Sequence, residues 1–512
     1  MSNSLKNKRI AKNSVYMSIR LIIVLIITLY TTRRTLEILG VVDYGIYNVV
    51  CGFVTMFTFL NTSLSNAIQR FFNYEYGKSG ENGAIKVFNS ALQIQLILSM
   101  LVVVATEIAG VWYLHNKMVM PEDRLLAGEW IFHLSVVSMA LLILQAPFTA
   151  AIMAHEKMDF YSVISIADAI LKLITVFILP LISGDLLIVY GISILLISIF
   201  NFLVYFLYAK ASFPEICLNY RIDKPTLKSM LSFSGWNMCG SFAGMMREQG
   251  VNMVMNVFFG PVVNAARGLA VQVNGALEGF AGNLLTPVRP QVIQSYAQED
   301  YKRAFNLTFT ASKLSSFFVV ILAVPLCFEL DFILHIWLGD DVPDHTAMFV
   351  ALIIATTILN ILMGSMATIV HASGKMMAYQ LIGGAIKILP VPVSYIILMY
   401  MPIPEYALLC VLVLTFIGYI VGLFIIKKIT CFSIKYYLRN VLMPVILLTI
   451  LLYAFLVPWY SLVTNTILQF FVVMSVGVLT GTCLAYCIGL TNEEKQYIRN
   501  FIFKIIKRNG KI

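Results

Sequence analysis

The chain has 512 residues, of which 59% are hydrophobic and 12% charged, with a formal net charge of +10. A soluble domain is about 45–50% apolar and about 25% charged. Composition therefore excludes an ordinary soluble enzyme, a disordered chain and a disulfide-stapled secreted domain.

The excess apolar surface needs a lipid solvent, and a lipid-spanning helix takes about 20 apolar residues. Residues 1–12 are polar and basic, with no cleavage site after a short apolar core, so the first span reads as retained. Apolar runs follow at 14–32, 41–64, 87–110, 126–150, 161–182 and 186–209. The runs at 229–258 and 262–287 are the least hydrophobic and read as a hairpin or the core of the molecule. Six more lie at 306–328, 347–370, 378–400, 406–426, 441–457 and 466–489. The expected fold is an all-α polytopic membrane protein of about 14 helices. In the tail, Tyr497, Ile498, Phe501, Ile502 and Ile505 recur at helical spacing among basic residues, the pattern of an amphipathic interfacial helix.

Charge placement sets the orientation. Of the 36 Lys and Arg residues, six lie inside spans and four (Arg33, Arg34, Lys117, Arg124) in one set of loops. The remaining 26 lie in the other set and at both ends. Positive residues stay on the cytoplasmic side, so both termini are expected there, in a bacterial inner membrane. No basic face with interleaved aromatics points to nucleic acid.

An internal repeat runs at an offset of about 218–220. Lys157, Met158 and Tyr161 parallel Lys375, Met376 and Tyr379; Gly40 parallels Gly260; Phe88-Asn89 parallels Phe305-Asn306. Parallel repeats of this kind occur in transporters. The expected divisions are an N-terminal lobe over 1–210, a C-terminal lobe over 211–428, and two extra spans with the basic tail over 429–512.

Ionisable groups inside a membrane are costly and mark function. Here they are Arg20, Lys172, Arg247, Arg267, Lys313 and Lys387, against Glu107, Asp168, Glu248 and Glu278. The cationic excess points to a cavity for an anionic group. At 100° per residue, Ser234, Asn237, Ser241, Glu248 and Asn252 share one face. Asn264, Arg267, Asn274 and Glu278 share another. Two such faces can line one water-filled cavity. The competing reading is a buried structural network of Arg247, Glu248 and Arg267. Asp168 and Lys172 read as an i,i+4 pair, and Arg20 and Lys313 can also snorkel to the interface. Glu248 and Glu278 are candidate proton or sodium carriers. Metal-ligand, nucleotide-loop and nucleophile motifs are missing, so neither a catalytic residue nor a cofactor is expected.

The run Leu39-Gly40-Val41-Val42-Asp43-Tyr44-Gly45-Ile46-Tyr47, the segment Phe233-Ser234-Gly235-Trp236-Asn237, the stretch from Phe258 to Gly268 and Ile336-Trp337-Leu338-Gly339 carry a resemblance. Together they resemble the polysaccharide-transporter branch of the multidrug/oligosaccharidyl-lipid/polysaccharide exporter superfamily, to which O-antigen flippases belong. The resemblance implies two six-helix lobes around a central cavity, plus two C-terminal helices. It implies transfer of a polyprenyl-diphosphate-linked O-antigen, capsule or exopolysaccharide repeat to the outer leaflet by alternating access. Arg20, Arg247, Arg267, Lys313 and Lys387, with Asn237, Asn264 and Asn274, would then hold the substrate. Expected partners are the lipid-linked oligosaccharide, the bilayer, and the polymerase and glycosyltransferases of the same assembly route. The alternatives are a cation-coupled multidrug antiporter, which often carries a carboxylate in span 1 where this chain has Arg20, and a membrane-embedded assembly enzyme.

Overall fold

In a computed structural model, the described residues are 3–216 except 156, then 230, 235, 238–490 except 286–287, 431 and 463–465, and residue 495. The predicted amphipathic tail, apart from Lys495, and Asn237 lie outside them. Every element among the described residues is helical.

Eleven segments are long and apolar enough to cross a membrane. Three more helices complete the set of about fourteen: the one after Gly40 and the polar pair ending in Phe259 and Leu285. The run Asn3–Thr55 breaks at Gly40 into α1 (residues 3–39) and the start of α2. A turn at 56–57 carries α2 on to residue 79, and Gly80 separates it from α3 (81–116). At ~1.5 Å per residue, α1 far exceeds a ~30 Å hydrocarbon core, which is why it outruns its apolar stretch. There follow α4 (Leu125–Ala154), α5 (Met158–Ile178) and α6 (Leu186–Ser212).

Next come α7 (238–259), α8 (Pro261–Leu285, followed by Val288–Ala297), α9 (Tyr301–Phe328) and α10 (Thr346–Ser373). Then α11 runs over 377–400 with a break before Pro390, α12 is Glu405–Ile429, α13 covers 434–462 and α14 covers 466–489. A short helix, Leu330–Leu338, precedes α10 and ends at Gly339. The sequence reading had treated this stretch as loop, because nine residues are too few for a span.

The repeat is written into the backbone. Gly40 (φ 76°, ψ 167°) and Gly260 (φ 73°, ψ −171°) adopt one left-handed conformation at equivalent helix breaks. Such angles cost an L side chain, so glycine holds both positions. Gly80 (φ 62°) has its counterpart in Glu299 (φ 60°).

The chain divides into two compact units. The first comprises residues 1–272, 340–349 and 380–414; the second comprises 273–339, 350–379 and 415–512. In the first unit, one core gathers Ile46, Val49, Ile131, Phe132 and Ile143. Another packs Phe72, Phe88 and Phe148. In the second, Phe309, Tyr419 and Tyr437 form an aromatic core, with the Tyr419 hydroxyl donating to that of Tyr437 at 2.9 Å. Outside these cores, Ile108, Leu181 and Leu462 are more than two-thirds exposed. Side chains of that size at the surface mark a face solvated by lipid.

A tight seam joins α2 to α7 and α8 within the first unit. A Cβ at Gly45 would lie 1.9 Å from the Pro261 carbonyl oxygen, and one at Gly268 would lie 2.5 Å from Asn48 Oδ1. Beside it, the Asn256 amide donates to the Val119 carbonyl at 3.2 Å, and Asn256 Oδ1 accepts from the Val119 N–H at 2.9 Å.

Candidate functional site

The polar pair α7 and α8 builds the centre of the first unit. The ladder of α7 widens into a π turn over Met246–Gly250. Such single-turn bulges cluster at functional sites. In a regular helix neighbouring side chains diverge by 100°. Here Arg247 instead turns onto Glu248, its Nε and Nη2 donating to Oε1 at 3.1 and 2.8 Å. From α8, Arg267 Nη2 donates to the Glu248 carbonyl oxygen at 2.7 Å and to Oε2 at 3.3 Å. Two buried guanidinium groups, 9% and 6% exposed, thus grip one carboxylate. The Glu248 side chain remains 45% exposed. Arg267 Nε is buried without a hydrogen-bond partner.

Helix α11 closes over the π turn. A Cβ at Gly250 would meet Val391 Cγ2 at 2.7 Å, and one at Gly240 would meet Gln380 Oε1 at 2.1 Å. Lys387 lies on the same helix, half-buried, near enough to Arg247 for their charges to interact. Among the described residues, three cationic side chains, Arg247, Arg267 and Lys387, thus lie around the one carboxylate of Glu248.

Three asparagines join α7 to α8 nearby. Asn264 is fully buried, and its amide donates to the Asn252 carbonyl and side-chain oxygens at 2.7 and 2.9 Å. Its own Oδ1 accepts from Asn256 at 3.0 Å. The helical wheel had placed Asn264 on the open face. The structure places it in the joint between α7 and α8, where its hydrogen-bonding groups are engaged.

A cavity of about 380 Å³ opens from Arg267, lined also by Asn48, Gln249, Asn252 and Gln272. A second, of about 570 Å³, lies among α1, α2, α4, α5 and α6, and the two share Tyr47, Cys51, Thr55 and Lys172 as walls. Asp168 sits in the larger one, accepting from Lys172 Nζ at 2.8 Å and from Asn201 Nδ2 at 2.7 Å. The expected i,i+4 pair is therefore present, with a third partner on α6. Arg20 stacks over Tyr161, 5.1 Å from its ring centroid, beside this cavity.

No protein-family model and no curated protein sequence matches the chain. Solved structures do. The lipid II flippase MurJ, in an inward closed conformation, aligns over 96% of this chain and 100% of its own, at a TM-score of 0.68 and 15% identity. An inward-facing multidrug resistance MATE family transporter of the MOP superfamily aligns over 80% of this chain and 96% of its own, at 0.64 and 14%. The chain has the fold of a MOP-superfamily transporter. A further MOP transporter, from Pyrococcus furiosus and distinguished by the reverse polarity of its binding pocket, aligns at 0.58 and 14%, over 82% of this chain and 96% of its own.

Within this MOP fold, the expected site residues fall into two groups. Arg20, Arg247, Glu248, Asn264, Arg267 and Lys387 belong to the first unit; Asn274, Glu278 and Lys313 belong to the second. Lys313 is 2% exposed on α9, beside the fully buried Ser312 and the nearby Ser315 and Ser316. Asn274 is buried with Oδ1 unpartnered, and Glu278 is exposed and accepts from Thr357 Oγ1 at 3.2 Å. Sequence reasoning missed Asn48, Gln249 and Gln272, neutral amides that carry no charge to flag them inside apolar runs.

The polar ends of the helices are tied by ion pairs. Arg124 binds Asp43 through both its Nε, at 2.8 Å, and Nη2, while its Nη1 reaches Asp185 Oδ2 at 2.6 Å. Burial pushes the Asp185 carboxyl up, but the Arg124 guanidinium and the N–H groups of Ile188 and Leu187 outweigh it and hold the group below the usual carboxylate range.

Proposed function

We propose that this protein carries a polyprenyl-diphosphate-linked oligosaccharide, an O-antigen, capsule or exopolysaccharide repeat, across the bacterial cytoplasmic membrane from the inner to the outer leaflet. The observation that carries the reading is the Arg247–Glu248–Arg267 cluster with Lys387 beside it. A diphosphate is expelled by hydrocarbon, and guanidinium groups replace its hydration with charge-assisted, forked hydrogen bonds. Arg267 keeps an unused buried donor, and three cationic side chains stand around one carboxylate among the described residues. Glu248 holds the arginines in place between cargoes. An arriving diphosphate competes for them, and the released carboxylate takes up a proton or sodium ion, which couples transport to a gradient. Glu278 is the second candidate carrier. Arg20, Lys313, Asn237 and Asn274 serve as further polar contacts along the route.

The similarity to MurJ, titled a lipid II flippase, and to transporters rather than enzymes supports this reading. So does an α1 that carries Arg20 where an antiporter often carries a carboxylate. In this reading both termini lie in the cytoplasm, and glycosyltransferases and a polymerase are functional partners. The test is transbilayer movement in proteoliposomes of a fluorescent polyprenyl diphosphate bearing a sugar, alongside efflux of a cationic dye. Movement of the lipid, lost in Arg267→Ala, supports the proposal. Dye efflux without lipid movement would establish the antiporter instead.

A further inference from the structure

We infer that the larger cavity of the first unit, about 570 Å³, is a carbohydrate subsite that seats the first sugar attached to the diphosphate. The inference rests on the reading that the phosphates are held at Arg267.

The chamber is made by two polar stripes. On α4, Ser135, Ser138, Gln145 and Thr149 fall within ~80° of one another, and on α5, Tyr161, Ser165, Asp168 and Lys172 fall within ~60°. All eight line the chamber. Its volume lies within the ~300–1,000 Å³ of small-molecule sites. A lipid-facing surface would not carry such stripes.

The hydrogen-bonding sense of the walls identifies the occupant. Ser138, Ser165 and Ser198 each donate their proton to a carbonyl one turn back, at 2.9, 2.8 and 3.0 Å. What they turn to the chamber are oxygen lone pairs. Asp168 is neutralised by Lys172 and Asn201, yet its carboxylate still has acceptor sites to spare. Among the described lining residues the chamber is thus rich in acceptors, and the charges of Asp168 and Lys172 balance, which suits a ligand made of O–H donors. The adjoining cavity differs: the Arg267 guanidinium is in its wall. Tyr161 and Tyr205 add ring faces for the apolar side of a pyranose. Because Tyr47, Cys51, Thr55 and Lys172 line both cavities, a phosphate at Arg267 and a sugar in the chamber can belong to one molecule.

The test uses the full chain in nanodiscs and two probes: a short polyprenyl diphosphate, and the same lipid bearing one N-acetylhexosamine. Wild type should bind the glycosylated probe roughly tenfold more tightly, the scale of one or two net hydrogen bonds. Ser138→Leu with Ser165→Leu fills the chamber and should erase that preference while leaving the bare diphosphate unchanged. Thr149→Val, which keeps shape and removes a hydroxyl, should reduce it in part. Unchanged preference in both variants, each still binding the bare lipid, would overturn the chamber as the sugar site. Arg267→Ala should weaken both probes alike; failure to do so would overturn the phosphate reading independently of the chamber.

Discussion

His345 Nδ1 lies 2.5 Å from Glu405 Oε1, repeating in the second half of the chain the contact of Arg124 with Asp185 in the first. Position 345 follows 124 by 221 residues, and 405 follows 185 by 220. In each repeat a basic residue in the loop before the fourth helix contacts the acidic start of the sixth. The repeat thus preserves a polar clasp at these positions, where the residue types have diverged beyond recognition by sequence.

The Asp185 arm of the first clasp should be acid-sensitive only at low pH. Because the Asp185 carboxyl lies below its ordinary value, its contribution is complete above the ordinary aspartate range, near 3.9, and is lost as pH falls through the lower folded value. Melting temperature in detergent should hold between pH 7 and 5 as far as this group is concerned. Asp185→Asn keeps the helix cap, whose Oδ1 accepts from Leu187 at 3.0 Å, and removes the charge. Asp185→Ala removes both and should cost about 1 kcal/mol more. Equal melting temperatures for the two variants would contradict the capping role.

Arg267→Ala should reduce transport roughly tenfold or more without lowering membrane abundance. Glu248 would not be stranded, because Arg247 still donates to it at 3.1 and 2.8 Å. Immunoblots and transport on the same vesicles check this. An abundance loss reversed by adding Glu248→Gln would instead assign the cluster a structural role.

Glu248→Gln alone should leave transport insensitive to the proton or sodium gradient, since an amide cannot release or take up the coupling ion. Transport rates measured with and without each gradient decide it; a preserved gradient response would move the coupling role to Glu278.

Accessibility along α8 should follow burial. In a background free of native cysteines, thiols at Gln272 and Glu278 should react with a water-soluble reagent. Thiols at Asn264, Leu269 and Leu277, which are 0%, 0% and 6% exposed, should not. Uniform labelling would mean that α8 does not line an aqueous space.

The span pattern was legible because hydrophobic length is a property of local sequence. The predicted runs at 126–150 and 406–426 fall inside helices Leu125–Ala154 and Glu405–Ile429. The chemistry of the site was legible as composition, since charge inside apolar runs cannot be accidental. Its geometry was not. The π turn at Met246–Gly250 shifts the register of α7, and no propensity marks it in advance, so a regular wheel does not give the direction of Arg247. Asn264 was misplaced for a related reason: a helical wheel gives direction but not what stands opposite. The division into compact units, which cuts α8 between Gln272 and Val273, depends on contacts distant in sequence.

The seam at Gly45 and Pro261 has a mechanical meaning. Backbone meets backbone there with no side chain between, so the contact cannot be loosened gradually; it is either made or broken. In the proposed transport cycle it is either an axle, kept whole throughout, or a latch, opened once per turnover. A single methyl tells the two apart. Gly45→Ala would jam an axle and stop every conformer from forming normally, whereas a latch held ajar would accumulate one conformer and remain open to reagents from one side of the membrane.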